Sequence, residues 1–372
     1  MRCTRKSVPR SGCRQRSTTI TASSSEERLQ EKRLVTNSKK SFYAVGFDLA
    51  LLAVLAGLVV VALCAGKYPI SPKESLDVLF GELTGRGGNY SEMTRNVVMG
   101  LRVPRITASI LCGMMLSVSG VSYQSIFKNP LVSPDFLGVS SGACVGAAIA
   151  ILLGFSGFVL SGFAFVGGIL AVLLTLLIPT AMKSDSNIML VLSGIIVGGA
   201  ISSILGFIKY VADPETELAA ITYWTMGSFS YVTLPEIGGV LPTMLVPAII
   251  LFAMSWWLDI LSMGETEARS LGANINVLRN IAIACATLMT ASAVCISGTI
   301  GWVGLVIPHF ARMFVGPNNT KLIPAAGLLG GIFLLLVDTI TRSLTVMEMP
   351  VSIMTGLIGA PFYALLLYRQ RR

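Results

Sequence analysis

The stretch SGVSYQSIFKNPLVSPDFLG, residues 119–138, recurs further along the chain as SGTIGWVGLVIPHFARMFVG, residues 297–316. Each copy follows an apolar segment rich in small residues, begins with Ser-Gly, ends with Gly and carries a proline, Pro130 or Pro308, at the same position. Both prolines are predicted to end the preceding helix. A duplicated half-structure of this kind is typical of membrane transporters, whose repeats meet at the substrate path beside broken helices. Coincidence is the alternative, because Gly, Ser and Pro are common in membrane helices.

The composition is that of a polytopic membrane protein. Hydrophobic residues make up 53% of the 372 residues and charged residues 13%, with a mean hydropathy of +0.75. A soluble domain carries about 25% charged residues. At about 20 residues per span, the chain has room for roughly eight to ten membrane helices. The seven cysteines form no CxxC pair and His309 is the single histidine, so the sequence indicates neither a zinc site nor a disulfide framework, and it excludes a histidine-rich metal path.

Residues 1–40 form a basic tail ahead of a membrane domain that we predict to span residues 41–372. The tail is rich in Arg, Ser and Thr, has no aromatic residue and carries most of the net charge of +9, a composition typical of disorder. The positive-inside rule places such a tail on the cytoplasmic side. Attraction to anionic lipid and a role as an organellar transit peptide are alternatives, whereas nucleic-acid binding is disfavoured.

The apolar segments predict an all-α polytopic membrane protein with about ten transmembrane helices, an internal inverted repeat and both termini on the cytoplasmic side. A short helix is predicted over residues 73–83. Residues 304–315 are too few to cross a bilayer at about 1.5 Å per residue, so we expect them to act together with a broken chain at residues 298–301. The predicted spans are residues 45–65, 104–127, 136–153, 158–182, 188–208, 237–258, 280–297, 304–315, 322–341 and 351–368.

The sequence does not look like that of an enzyme. Its one Gly-Lys pair, Gly66-Lys67, lacks the preceding glycine and the Ser or Thr of a phosphate-binding loop, and no HExxH motif occurs. No catalytic residue is therefore assigned. If transport is driven by ATP, the ATPase must be a separate chain.

Few ionisable residues fall inside the predicted spans. Asp338 and Arg342 are spaced i,i+4 and are expected to pair on one helix face. His309 and Arg312 are expected to face the lipid headgroups. Intramembrane ionisable groups mark functional sites by default, but a proton- or sodium-coupled carrier would need more acids at the membrane midplane than this sequence supplies.

A long polar stretch on the inner side, residues 259–279, indicates a surface for a partner. It is longer than a simple connection requires. Residues 265–271 are predicted to form a short helix that is bracketed by the helix breakers Gly264 and Gly272. Such a helix suits docking onto a cytosolic partner; a surface helix without a partner is the alternative.

Three arginines on the predicted outer side break the positive-inside pattern. Arg95, Arg102 and Arg105 cluster just before the second span, where that rule expects few basic residues. The cluster therefore indicates a binding surface.

A set of motifs shares its order and spacing with a known family. The motifs are LRVPR (101–105), SG (119–120), KNPLVSPDFLGVSSGA (128–143), GETEARSLGANI (264–275), SGTIGWVGLVIPHFARMFVGP (297–317), LLVDTITR (335–342) and EMPVSIMTGLIGAPFYALLL (348–367). Together they strongly resemble the FecCD permeases, the membrane subunits of ABC importers for iron–siderophores, haem and cobalamin. The likeness covers about residues 45–370 and leaves out the tail.

The resemblance implies ten helices per subunit and a homodimer, or a close heterodimer, with the path at the two-fold axis. Two ATP-binding subunits would dock on the cytoplasmic side and an extracytoplasmic solute-binding protein on the outer side. No cofactor and no protein-bound metal are predicted. By the resemblance, ATPase coupling falls to Gly264, Glu265, Glu267, Ala268, Arg269, Ser270, Leu271 and Gly272, binding-protein docking to Arg102, Arg105 and Arg342, and candidate positions on the translocation path to Ser140, Ser141, Gly142, Ser193, Gly194, Ser202 and Ser203.

These features together predict the permease subunit of an ATP-driven importer in the bacterial cytoplasmic membrane. Its expected substrate is a metal chelate, with a ferric siderophore first and haem or cobalamin as alternatives. An ion-coupled secondary carrier is disfavoured by the scarcity of midplane acids. A receptor or scaffold is disfavoured by the repeat and the broken helices.

Overall fold

The computed structural model describes residues 44–85, 90–183, 186–270, 272, 274–344 and 348–370. The predicted basic tail, residues 1–40, lies outside them. Residues 50–372 form one compact unit. The predicted boundary between tail and membrane domain stays a prediction.

Every regular element among the described residues is a helix, which confirms the predicted all-α class. The third helix contains a π-helical segment, Asn96–Arg102. The helices are α1 (Ala44–Cys64), α2 (Pro72–Thr84), α3 (Glu92–Ile126), α4 (Val139–Leu152), α5 (Gly157–Ala181), α6 (Asn187–Val211), α7 (Glu217–Thr225), α8 (Leu234–Ala253), α9 (Ser255–Met263), α10 (Glu265–Ser270), α11 (Ile275–Ser297), α12 (Val303–Val315), α13 (Asn319–Leu344) and α14 (Val351–Gln370).

Within the described ranges, seven helices are long and apolar enough to cross a membrane. Three shorter apolar helices, α4, α12 and most of α14, bring the number to the predicted ten. The short helix predicted over residues 73–83 is α2. It begins with a capping box in which Ser71 and Glu74 each accept the other's backbone N–H. The sequence did not predict α7, because nine residues are too few to show a clear helical repeat.

Helices α3 and α11 form the centre of the bundle. In the most apolar 18-residue window of each, 78% of the residues are buried, against 28% in α5 and in α6. Lipid tails are as apolar as leucine side chains, so helices in a membrane associate through close backbone packing rather than through hydrophobic burial. The buried face of α3 is accordingly rich in serine and glycine.

Two glycines of α3 set how near its neighbours come. A Cβ at Gly120 would lie 1.9 Å from the carbonyl oxygen of Gly304 in α12. A Cβ at Gly113 would lie 2.2 Å from the carbonyl oxygen of Gly330 in α13. No side chain fits at either position, so the backbones of α12 and α13 pack directly on that of α3.

The two copies of the repeated stretch differ in local structure. The first copy continues α3 as far as Ile126, whereas α11 ends at Ser297, where the second copy begins. Pro130 follows α3, but Pro308 lies inside α12. The prediction that both prolines end a helix is therefore wrong for the second copy.

Pro308 fits inside α12 because α3 supplies a substitute donor. Proline has no N–H, so the carbonyl four residues earlier, that of Gly304, loses its helical partner. The Gln124 side-chain amide of α3 donates from Nε2 to the carbonyls of Gly304 and Leu305, at 3.5 and 3.3 Å. Arg312 in turn donates to Gln124 Oε1. Arg312 is thus tied to α3, and its place at the lipid headgroups stays a prediction.

We expect Gly120→Ala to destabilise the protein. The added methyl group would collide with a backbone oxygen of α12 that cannot rotate away, and overpacking of this kind costs about 1–3 kcal/mol. Gly57→Ala in α1 is the matched control, because a Cβ there would meet nothing within 4 Å. The measurement is the thermal unfolding midpoint of the purified protein in one detergent. Equal midpoints for the two variants would contradict the packing role of Gly120.

Candidate functional site: a charged network and a short helix at opposite ends of the bundle

A buried ion-pair network lies at one end of the bundle. The Arg105 guanidinium of α3 donates from Nε to both oxygens of Asp338 in α13, at 2.8 and 3.0 Å, and from Nη1 to Glu348 Oε2 at 2.7 Å. Arg105 is 7% exposed and Asp338 is fully buried. Glu348, which precedes α14, keeps 33% of its side chain exposed. One arginine of α3 thus binds the end of α13 and the chain before α14, more than 230 residues further along the sequence.

Two further arginines hold the end of α1. Arg102 donates to the backbone carbonyls of Leu63 and Tyr68, and Arg342 donates to that of Ala62. These carbonyls belong to the last turn of α1 and the chain after it, where acceptors lack a helical partner. Both arginines are buried. Arg342 Nε is buried with no hydrogen-bond acceptor among the described residues.

We call Arg102, Arg105, Arg342, Asp338 and Glu348 the arginine network. The predicted pairing of Asp338 with Arg342 is corrected, because Asp338 binds Arg105 instead while Arg342 turns toward the end of α1. All three arginines predicted for docking come together at this end, and in this chain they point inward to internal acceptors. Their role in docking a partner stays a prediction.

Arg95, the remaining member of the predicted outer cluster, makes a surface ion pair. Its Nε donates to Glu82 at 2.5 Å, with both side chains partly exposed. The hydrogen bond from Arg95 holds the pKa of the Glu82 carboxyl below its usual range. Exposed pairs of this kind add little to stability, so Arg95 is not part of the arginine network.

Glu348 fastens a loop, residues 227–233, to the network. Its Oε2 accepts from the Ser230 hydroxyl as well as from Arg105. Ser230 Oγ in turn lies 2.8 Å from Ser228 Oγ. Burial opposes ionisation of Glu348, but the Ser230 and Arg105 donors outweigh it and keep the pKa of its carboxyl below the usual range. Glu348 is therefore a charged clip between α3 and this loop.

The same loop closes the break between α11 and α12, which the sequence predicted at residues 298–301. The Ser228 N–H donates to the Ser297 carbonyl at 2.8 Å, and Thr299 Oγ1 donates to the Thr225 carbonyl at 2.6 Å. Gly298 has φ +68, a left-handed conformation that favours glycine. The break is therefore held by one backbone bond from the loop after α7 and one side-chain bond to the last residue of α7.

The start of α14 is tied to both features. The Val351 N–H donates to the Gly227 carbonyl at 2.9 Å, which joins α14 to the loop. Trp302, at the end of the break, packs on Gly359 of α14, where a Cβ would lie 2.7 Å from the Trp302 Cβ. The network, the loop, the break and α14 thus form one connected group of contacts.

The opposite end of the bundle carries the predicted short helix. Helix α10 spans Glu265–Ser270, between the two predicted glycine breakers. Gly272 has φ +78, the left-handed conformation that commonly follows the end of a helix. Leu271 lies outside the described residues. From this end α11 runs to the break, so α10 and the arginine network lie at opposite ends.

Helix α10 presents one buried and one exposed edge. Ala268 is buried, while Arg269 and Ser270 are exposed. An open cleft of about 400 Å³ lies beside the helix. For Glu265 and Glu267 the structure describes the helical backbone. The residues that line the cleft are Arg269, Gly272, Asn274, Ile275 and Asn276.

Asp259 and Asn319 anchor this end, although the sequence did not single them out. Asp259 Oδ1 accepts from the Asn319 backbone N–H at 2.7 Å and from its side-chain Nδ2 at 2.8 Å. Ser125 of α3 donates to Asn319 Oδ1 at 3.0 Å. The acid and the amide are 60 residues apart, so no local pattern could reveal the contact. It holds α9, which leads into α10, against α3 and α13.

The predicted path residues fall into two groups. A Cβ at Gly142 would lie 2.3 Å from the Gly167 carbonyl oxygen, and one at Gly194 would lie 2.0 Å from the Phe136 carbonyl oxygen. Ser193 is also buried, so these three residues lie at helix contacts, although Gly142 also lines an apolar groove between α4, α5 and α6. The others keep access to the surface: Ser140 and Ser141 are half-buried at the start of α4, and Ser202 and Ser203 are exposed on α6.

The part of the chain that the structure describes holds no group of three or more His, Cys, Asp or Glu residues able to bind a metal. His309 makes an edge contact with the Tyr363 ring of α14, with ring centroids 6.3 Å apart. The histidine therefore takes part in helix packing.

Several curated permeases are similar to this chain. A molybdate import system permease protein of Haemophilus influenzae is 38% identical over 89% of this chain and 97% of its own length. A probable iron chelatin transport system permease protein of Helicobacter pylori is 40% identical over 74% of this chain and 83% of its own. A cobalamin import system permease protein of Halobacterium salinarum is 36% identical over 74% of each.

A solved structure shares the fold. It is described as an inward-facing conformation of a metal-chelate type ABC transporter, and it superposes with a TM-score of 0.78 at 36% identity, covering 87% of this chain and 98% of its own.

The family model is decisive for classification. The model of the FecCD transport family matches residues 52–369, which include every helix that carries the network, the break and the short helix. Permeases of ABC importers work with a separate ATPase and a binding protein, and they are transport subunits rather than enzymes. The chain belongs to the FecCD transport family and is a multi-span membrane permease of an ABC importer.

Proposed function

We propose that this permease imports iron as a chelate, a ferric siderophore or a compound of that kind, across the bacterial cytoplasmic membrane. The observation that supports it most directly is the 40% identity to the iron chelatin permease of Helicobacter pylori. The likeness to a metal-chelate type transporter over 98% of that chain supports the same substrate class. Family membership removes the ion-coupled secondary carrier from consideration.

Molybdate is the second candidate. The molybdate permease of Haemophilus influenzae matches over 97% of its own length, which is more than the iron chelatin permease does. Molybdate is a small oxyanion, whereas a ferric chelate is a large organic complex, so an uptake assay separates the two. Haem and cobalamin stay as alternatives within the same family.

We place the short-helix end in the cytoplasm and the arginine network on the outer side, with both chain termini cytoplasmic. The basic tail supports this orientation through the positive-inside rule.

Two copies of the permease would meet around the translocation path, and we propose that α6 faces this path. That helix exposes Ser202 and Ser203 together with Tyr210, which is 86% exposed. Exposed serine hydroxyls on a membrane-spanning helix favour a surface that lines the path over one that meets lipid.

Helix α10, together with Gly264 and Gly272, is our proposed contact to the two ATP-binding subunits. The arrangement supports this role because Ala268 fixes the helix to the bundle while Arg269 stands exposed beside an open cleft. The hydrogen bonds between Asp259 and Asn319 would transmit a displacement of α10 to α3 and α13. Arg102, Arg105 and Arg342 remain our proposed contacts to the solute-binding protein.

Reconstituted transport tests the substrate. The permease, its ATP-binding subunit and its solute-binding protein are placed in liposomes, and the ATP-dependent uptake of a ferric siderophore panel, molybdate, cobalamin and haem is compared. We expect uptake of a ferric chelate and none of the other three. Uptake of molybdate alone would contradict the ferric chelate and support molybdate as the substrate. The permease without the ATP-binding subunit is the control and should hydrolyse no ATP.

Arg269→Glu should uncouple transport. Reversing a charge at an interface costs several kcal/mol through repulsion, so we expect ATP-dependent uptake to fall about tenfold or more. Binding of the solute-binding protein on the far side should be unchanged. The measurement is uptake per ATP hydrolysed in the same liposomes.

Lys183→Glu is the matched control for Arg269→Glu, because Lys183 is an exposed base in the turn between α5 and α6, at the same end as α10 but outside it. Gly272→Asn and Gly272→Val make a second pair, since asparagine tolerates the left-handed conformation and valine does not. We expect the valine variant to lose more uptake than the asparagine variant. Full coupling in Arg269→Glu would remove α10 from the proposed ATPase contact.

A further inference from the structure

The arginine network carries more positive than negative charge. Its described members are three arginines and two acids, Asp338 and Glu348, so the group has an excess of one positive charge. The Nε of Arg342 is buried without an acceptor among the described residues, and Arg342 itself is only 7% exposed. A buried donor without a partner is costly. Both observations make this end of the bundle attractive to an anionic group of a partner.

The two carboxylates on Arg105 are held very differently. Asp338 is fully buried and receives Arg105 Nε on both oxygens. Glu348 touches Arg105 through a single oxygen and keeps 33% of its side chain exposed. Glu348 also lies just before the first residue of α14 and not inside a helix. Glu348 can therefore leave Arg105 without opening the core, whereas Asp338 cannot.

We propose that Glu348 is an internal stand-in for a carboxylate of the solute-binding protein, and that docking exchanges the one for the other on Arg105. The proposal rests on the proposed function, because it takes the arginine network as the docking surface. A surface carboxylate of the partner would reach Arg105 from the exposed side and take the place of Glu348 there. The exchange keeps the number of carboxylates on Arg105 constant, so it avoids the large penalty of leaving a buried guanidinium unpaired.

The exchange would also release a loop. Glu348 Oε2 accepts from Ser230 as well as from Arg105, so its departure removes the clip between α3 and residues 227–233. That loop supplies the Ser228 N–H to the end of α11 and the Gly227 carbonyl to the start of α14. Docking would in this way loosen the contacts around the break between α11 and α12. The acid Glu348 is thus an inhibitory contact that an acidic partner removes.

The first test measures docking. The permease with its ATP-binding subunit is placed in lipid nanodiscs, and the affinity of the solute-binding protein is measured at low and high salt. We expect Glu348→Gln to bind about tenfold more tightly than wild type at low salt, since removal of a competing charge frees Arg105. The gain should shrink at high salt because charge interactions are screened. Ser230→Ala should show a smaller gain.

Matched variants separate this idea from a general charge effect. Glu215→Gln removes an exposed acid from the chain that leads into α7, outside the arginine network, and should leave the affinity unchanged. Asp338→Asn removes the fixed carboxylate and should lower the stability of the protein without tightening docking. Weaker or equal docking by Glu348→Gln would overturn the proposal, as would an equal gain in Glu215→Gln.

The second test needs no partner. Hydrogen–deuterium exchange of the permease alone should show faster exchange at the amides of Ser228 and Val351 in Glu348→Gln than in wild type. Unchanged exchange would show that Glu348 is not the clip, even if docking is normal. If exchange rises as expected but no solute-binding protein binds wild type or variant, the clip stands and the proposed docking surface is wrong. The two failures are therefore distinguishable.

Discussion

A break in a membrane helix must have its backbone groups satisfied by protein, because hydrocarbon offers no hydrogen bonds. The break between α11 and α12 meets this constraint with partners from across the chain. The Ser297 carbonyl receives the Ser228 N–H, and Thr299 donates to the Thr225 carbonyl. Beyond the break, the carbonyl that Pro308 deprives of a partner receives Gln124 of α3. The positions of α3, the loop after α7 and α12 follow from these bonds.

The arginine network solves a related problem at the same end. Arginine suits the position of Arg105 because its planar fork can serve two carboxylates at once. Removing one partner of a buried pair costs about 3–5 kcal/mol, so Arg105 and Asp338 act as a fixed joint between α3 and α13. Arg102 and Arg342 use the same chemistry on the free carbonyls at the end of α1. The three arginines that we predicted to dock the solute-binding protein therefore hold this end of the bundle together.

The helices were predictable because hydropathy along the chain reports directly on contact with lipid. The predicted span at residues 158–182 and the helix Gly157–Ala181 differ by one residue at each end. Pairings across the bundle were not predictable, since Asp338 has Arg342 at helical spacing in the sequence and nothing local indicates that Arg105, 233 residues away, is its partner. The same limit applies to Gly142 and Gly194, whose close packing against neighbouring backbone was not predicted and whose place on the path stays a prediction. The short helix α10 was predictable because glycine breakers and polar residues act locally.

Helix α11 is the physical connection between the two ends. It has 23 residues and is therefore about 35 Å long at about 1.5 Å per residue. It starts beside the cleft of α10 and ends at Ser297, which holds the loop clipped by Glu348. Most of its length is buried against α3 and α8, so a local bend would disturb close packing and a shift together with its neighbours is favoured. A force on α10 would therefore reach the break as a displacement of the Ser297 carbonyl. The hydrogen bond from Ser228 would couple that displacement to the loop. Ser230 and Glu348 would extend the coupling to Arg105.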